Sequence, residues 1–366
     1  MHKFSHKIGN ISIPKQFTWP FHYTPHTLSR LAAEQVMEYL ARQEEWKEEI
    51  SRGKMFGVLI VENADNEIGF LAAFSGNLAG TNRHEYFVPP VYDMLQPDDF
   101  FKKEEAEISA INRRIETMET AEEYTKAKEQ LRGVREQVEQ ELSNLSVELL
   151  KRKKARQQLR AEGKADPQAL ILQSQHDSAE SKRKKRALQQ LVADVQAKVS
   201  EMEQAINSLR EERRRRSAEL QMALFREFKM LNAKGEAKDL CELFAPTPQL
   251  IPPAGAGECA APKLLQYAYL NGLQPLAMAE FWWGDSPKGE VRRHGNFYPS
   301  CNSKCKPILL HMMQGLDVEP NPLLNILTPE PRIVWEDEHM VIIDKPCGML
   351  SVRGKSEVRS VEEWAE

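Results

Sequence analysis

The sequence predicts a mixed fold of the α+β or α/β kind, in which a sheet-bearing domain is interrupted by a long antiparallel coiled-coil hairpin. A short β-rich block lies beyond that domain. Three observations carry this reading. A narrow apolar seam at helical spacing runs through 101–240, where Phe, Trp and Pro are scarce. Compact apolar runs of strand length lie on either side of it, near residues 55–76 and 275–283. Two Pro-rich stretches, 246–258 and 319–331, punctuate the carboxy-terminal part of the chain.

Residues 1–26, rich in His, Pro and aromatics, read as an irregular lead-in. Thr27 can cap an amphipathic helix through Leu28, Leu31, Ala32, Val36, Met37 and Leu40. Met55–Val61 and Ile68–Gly76 are apolar runs around Asn63-Ala64-Asp65-Asn66, which predicts a β-hairpin with both strands buried. Two strands and a helix make too small a core to stand alone. The missing sheet is expected beyond the hairpin, where a helix from about Ala260 to Leu270 precedes the apolar run Pro275–Trp283. The predicted organisation is one domain in two segments, 1–100 and 246–318, with 101–240 inserted between them. A linker at 319–331 and a block at 332–366 complete it. That last block is too short to bury a core and reads as the opening of a further domain.

Within the insertion, Leu131, Val134, Val138, Leu142, Leu145 and Leu149 form one seam. Leu188, Leu191, Val195, Val199, Met202 and Ile206 form the other. Both step by three, four, four, three and four. Gly163 can end the first helix, while Asp166 and Pro167 can start the second. A fold-back there brings together residues whose numbers sum to about 330, and arms of about 60 residues would reach about 90 Å. The seam could also pair two chains, but the register does not require a homo-oligomer.

With 366 residues there is room for two or three domains, and 41% hydrophobic residues suffice for cores. A net charge of −4 argues against a partner held by bulk charge, so local charge is the informative signal. No apolar run approaches the ~20 residues of a membrane span, and the start lacks the apolar centre of a secretory signal. The five cysteines are an odd number for a disulfide framework. These features predict a cytoplasmic protein with reduced thiols and no membrane partner.

Two basic runs lie near the hairpin tip. One is Lys151, Arg152, Lys153, Lys154 and Arg156; the other is Lys182, Arg183, Lys184, Lys185 and Arg186. Placed opposite one another they would make a collar suited to RNA phosphates, and a solvated helix face is the plain alternative. Lys288, Arg292, Arg293 and His294 can equally be a phosphate cluster or a solvated loop.

Cys259 opens one predicted helix, and Pro299-Ser300-Cys301-Asn302-Ser303-Lys304-Cys305 precedes another. That layout is similar to the zinc deaminases, which place a ligand at one helix start and a Pro-Cys-x-x-Cys pair at the next. Here Ala261 stands where the catalytic Glu is needed, and three residues rather than two separate the pair. A deaminase is therefore set aside. Reduced thiols with no cofactor is the reading kept. A structural zinc on Cys259, Cys301 and Cys305, with His294 or His311 as fourth ligand, is its alternative.

The block Glu336-Asp337-Glu338-His339-Met340-Val341-Ile342-Ile343-Asp344-Lys345-Pro346-Cys347-Gly348-Met349-Leu350 resembles the opening of an RluA-type RNA pseudouridine synthase domain. It has that family's acidic turn, apolar strand and Lys-Pro-x-Gly segment, carried here by Lys345, Pro346 and Gly348. The region from Pro253 to Gly315 is similar to the long amino-terminal extension of some larger bacterial members. The resemblance implies cofactor-free isomerisation of uridine to pseudouridine in structured, ribosomal RNA. The family carries its catalytic Asp in a His-Arg-Leu-Asp-x-x-Thr-Ser-Gly segment, which does not occur in this sequence. The expectation is thus an RNA-positioning amino-terminal portion of such an enzyme, truncated and inactive by itself. No catalytic residue is assigned, Glu336, Asp337 and Asp344 included. The rival expectation is a non-catalytic coiled-coil scaffold for a protein or ribosomal partner.

Overall fold

The computed structural model describes residues 1–96, 98–322, 330–346, 349–354 and 360–365. The chain divides into two compact units, Met1–Asp99 with Met222–Glu366, and Phe100–Gln221. The elements begin with α1 (Thr27–Ala41), α2 (Lys47–Ser51), β1 (Lys54–Glu62), β2 (Ile68–Phe74), α3 (Phe100–Thr120), α4 (Glu122–Ala161) and α5 (Pro167–Glu227). They continue with β3 (Lys229–Leu231), β4 (Ala237–Asp239), α6 (Leu240–Phe244), α7 (Ala260–Leu270), β5 (Gln274–Trp283) and α8 (Lys306–Met312). The last are β6 (Arg332–Glu336), β7 (Val341–Asp344) and α9 (Val361–Ala365).

In the first unit β1 is the middle strand of a sheet ordered β2-β1-β5, and both pairings are antiparallel. Asn63 forms the β1–β2 turn by accepting the Asp65 and Glu67 N–H groups at 3.0 and 2.9 Å, while Asn66 takes the left-handed conformation. All sheets among the described residues are antiparallel, so the class is α+β. The α/β and mixed-sheet alternatives do not hold. The reason is connectivity, since β1 and β2 share a tight turn and β5 returns antiparallel to β1.

Strand alternation divides the core. Leu59, Val61, Leu71, Ala73 and Met278 pack with Leu264 and Leu265 of α7 and with Ile308 of α8. Val58, Ile60, Phe70, Ala72 and Phe281 pack with Leu28, Ala32, Val36 and Leu40 of α1. Each such Leu, Ile or Phe contributes about 1.5–3 kcal/mol on burial, so a strand with two buried faces anchors two cores.

The hairpin assignment of 101–240 extends too far. Phe225, Phe228, Met230, Leu240, Leu243 and Phe244 lie in the first unit's core. There β3 and β4 form a small hairpin, and Asp239 with Glu242 makes a reciprocal capping box at α6. Gln266 of α7 accepts from Leu231 N–H and donates to the Lys229 carbonyl, both at 2.9 Å, which satisfies the β3 backbone. Apolar residues in this stretch continue the helical spacing of α5 briefly, and that spacing conceals the change of partner.

In the second unit the first arm is broken. Ala121 between α3 and α4 is extended at φ −58° and ψ 134°. Around it the Thr117, Thr120 and Thr125 hydroxyls donate back to the carbonyls of Arg113, Glu116 and Ala121, a pattern that bends helices. Gly163 in the left-handed region ends α4, with its N–H donated to the Arg160 carbonyl and that of Lys164 to the Leu159 carbonyl. Asp166 then caps α5 through the Gln168 N–H at 3.1 Å. Ala127, Leu131 and Val199 are buried together with Tyr124, Val195 and Met202 beside them. Arg135 donates to Gln196, and Arg210 pairs with Glu119. Partner numbers fall along α5 as they rise along α3 and α4, so the contacting helices run antiparallel. Leu191 departs from its predicted seam position: it is 42% exposed, whereas Val192 is half-buried. With Val192, the second-arm steps become four, three, four, three and four, a regular heptad.

Helix α7 crosses β1 at Gly57, where an added Cβ would meet Ala260 Cβ at 3.0 Å and Leu264 Cδ1 at 3.1 Å. Gly57→Ala should destabilise the first unit by about 1–3 kcal/mol through overpacking. Urea unfolding followed by tryptophan fluorescence checks this, because none of the six tryptophans lies in Phe100–Gln221. An unchanged midpoint would mean that α7 can retreat freely.

Candidate functional site

Cys259 is the N-cap residue of α7 and Cys305 that of α8, and neither side chain makes a capping hydrogen bond. Together with Cys301 they line one cavity of ≈ 360 Å³. Cys301 is held far below the usual thiol range because Cys259 and Cys305 donate to its sulfur. The same contact with Cys301 pushes Cys259 up to about 12. Cys305 is raised as well, chiefly by Cys259. The cluster is thus three cysteines on one cavity that perturb one another's ionisation. Its three sulfurs do not all lie within 4.8 Å of one another.

Glu280 of β5 lines the same cavity, and burial pushes its carboxyl up to about 7. Ser300 Oγ donates to Glu280 Oε2 at 2.5 Å, and the Ala261 amide also supports the carboxyl. Arg292 stands on the cavity wall, with its guanidinium 5.2 Å from the ring centres of Trp282 and Tyr298, and pairs with Glu290 at 2.8 Å. Lys288 lines the cavity too, whereas Arg293 and His294 do not.

Neither predicted histidine lines the cavity. Buried His311 hydrogen-bonds through Nε2 to the Met230 carbonyl at 3.0 Å. His294 accepts the Gly284 N–H on Nδ1 and lies against Trp283. Their residue type fits a metal, but the fold directs them elsewhere. Among the described residues, the metal-type group whose ligand atoms all fall within 4.8 Å is His176, Asp177 and Glu180. Asp177 there is already engaged by arginines.

The basic runs divide into two kinds. Arg152 pairs with Asp177 at 2.9 Å, with Glu148 at 2.5 Å and with Glu180 at 3.3 Å, and Arg156 pairs with Asp177. These bonds, from Arg152 first, hold the Asp177 carboxyl below its usual range. Arg152 and Arg156 therefore brace the helix pair and are removed from the predicted phosphate contacts. Lys151, Lys153, Lys154, Lys182, Arg183, Lys184, Lys185 and Arg186 are exposed, and none forms an ion pair among the described residues. With Arg152 paired to Asp177, the two runs succeed one another along the helix pair, their centres offset by about 11 Å, and do not face each other.

In the carboxy-terminal block, Asp337 accepts the His339 and Met340 N–H groups at 2.8 Å each and so makes the β6–β7 turn. Asp344 pairs with Arg332 at 3.3 Å. Lys345 Nζ donates to the Met349 carbonyl at 2.6 Å, and Pro346 adjoins it. Gly348 and Cys347 lie outside the described residues.

No protein-family model, curated protein or solved structure matches the chain. Among the described residues, no helix is long and apolar enough to cross a membrane. Sequence reasoning missed Glu280, although a carboxylate within the apolar run Leu276–Trp283 was the available signal.

Removing the Asp177 carboxylate leaves Arg152 and Arg156 without their shared acceptor. Asp177→Ala should accelerate amide hydrogen exchange across 150–180 several-fold and leave 124–131 unchanged. Uniform exchange along the whole unit would contradict a local brace.

Proposed function

We propose that this chain is the amino-terminal, RNA-positioning region of an RluA-like pseudouridine synthase acting on structured RNA. In this reading the second unit is an antiparallel coiled-coil hairpin whose exposed basic residues meet phosphates. The observation that carries the enzyme class is the segment from Glu336 to Leu350, with its acidic turn, apolar strand and Lys345-Pro346-Cys347-Gly348. The RNA role rests on the exposed Lys151, Lys153, Lys154 and Lys182–Arg186. Ribosomal RNA is the substrate class that the resemblance suggests, and the isomerisation would be carried by a His-Arg-Leu-Asp segment that these 366 residues do not contain.

A second reading, a scaffold that docks a protein, is favoured by apolar exposure near the same end of the unit. Leu150, Ile171 and Leu172 are 54%, 51% and 65% exposed. Surface of that kind suits a protein partner better than a phosphate backbone.

Replacing the eight exposed basic residues with Gln should weaken binding to a structured ribosomal RNA fragment at least tenfold at low salt. It should also flatten the dependence of log K on log salt, since each lost phosphate contact removes about 0.7–0.9 of slope. Arg152→Gln should leave both nearly unchanged. Equal affinity and slope in the eightfold variant would defeat the RNA role and favour the scaffold.

A further inference from the structure

The first unit holds chemistry that RNA positioning does not use. Helix N-caps favour Ser, Thr, Asp or Asn because a side-chain oxygen can take an orphan N–H. At both α7 and α8 the residue is instead a cysteine whose sulfur caps nothing. Cys301 joins them on one cavity, and all three thiols are free. Three uncrosslinked sulfurs on one cavity form a soft donor set that selects zinc over magnesium or calcium. Each cysteine has a single side-chain torsion, and rotation about it is what repositions its sulfur. Zn–S bonds of about 2.3 Å would draw the sulfurs to within about 4 Å of one another.

We propose that Cys259, Cys301 and Cys305 bind one zinc ion as three thiolates and leave its fourth position open to the cavity for an exchangeable small ligand. The histidines that could close the shell, His294 and His311, do not line the cavity. Glu280 shares the cavity, but Ser300 and Ala261 hold its carboxyl, so it borders the open position and does not ligate. Three thiolates and Zn²⁺ leave one net negative charge. Lys288 on the cavity wall offsets that charge, while Arg292 is already paired with Glu290, and the wall suits an oxygen-donor or singly charged anionic ligand. A site with three protein ligands and one open position is the arrangement of zinc centres that act on a bound molecule, whereas structural zinc is closed by four.

The test uses the full chain purified with its thiols protected. Elemental analysis should give one zinc per chain, and Cys259→Ser or Cys301→Ser should lower zinc affinity at least tenfold. Cys241→Ser, outside the cavity, should retain zinc. Cobalt substitution should produce sulfur-to-cobalt charge-transfer absorption, and azide should then shift the visible bands. Glu280→Gln should keep the metal. Wild-type protein with native circular dichroism that takes up no zinc would overturn the site. Azide-insensitive cobalt spectra, or loss of metal in Glu280→Gln, would overturn the open position by revealing a fourth protein ligand.

Discussion

The pairing of β1 with β5 is the constraint on which the first unit depends. These strands lie more than 200 residues apart, yet they pair from Lys54 with Trp283 to Glu62 with Gln274. Without β5, β1 and β2 would be a two-stranded hairpin, marginal in water. With it, β1 loses its exposed edge and both sheet faces can be covered. Closing a loop of that size is entropically costly, but the cost rises only with the logarithm of length. The helices of the second unit also order most of the intervening chain by their own contacts. The long-range pairing thus costs far less than the loop length suggests.

The same pairing places the cysteine cavity. Helix α7 can cross β1 closely only because Gly57 has no side chain. The approach puts the start of α7 beside β5, which contributes Glu280 and Trp282 to the cavity. On the other side of α7, Lys263 donates to the Phe74 and Gly76 carbonyls at 2.9 and 3.0 Å. Burial lowers that lysine to about 8, a sign that its ammonium has exchanged water for carbonyl oxygens. One helix is therefore fixed by a missing side chain and a buried cation, both near the end that carries Cys259.

The parts of this architecture that were legible in the sequence were those set by local chemistry. Uninterrupted apolar runs identify β1, β2 and β5, and Gly163, Asp166 and Pro167 mark the turn between α4 and α5 through backbone preference and capping. The hidden parts depended on distant partners. The residues from Phe225 to Phe244 have an apolar spacing that suits either the helix pair or the sheet core, and only the β3–β4 hairpin and Gln266 decide it. Leu191 and Val192 are adjacent and both apolar, so the seam position turns on a helix rotation that composition does not record. Arg152 and Arg156 read as basic surface because Asp177 lies 21 to 25 residues further along the chain. Glu280 was visible as a charge in an apolar strand, but its neighbours Cys259 and Ser300 come from other elements.

The arginines show why a count of charges misjudges an interface. A guanidinium already paired with carboxylates must break those bonds before it can meet a phosphate, whereas an exposed ammonium gives up only water and counterions. Within one basic run the second unit holds both kinds, with Arg152 and Arg156 turned to Asp177 and Lys151, Lys153 and Lys154 facing solvent. The braces keep the helices in register, and that register fixes where the free lysines project. The proposed phosphate surface and the structural clamp are consequently interleaved at intervals of a few residues. Their roles separate by partner rather than by residue type, so a neutralising change at Arg152 and one at Lys153 act on different equilibria.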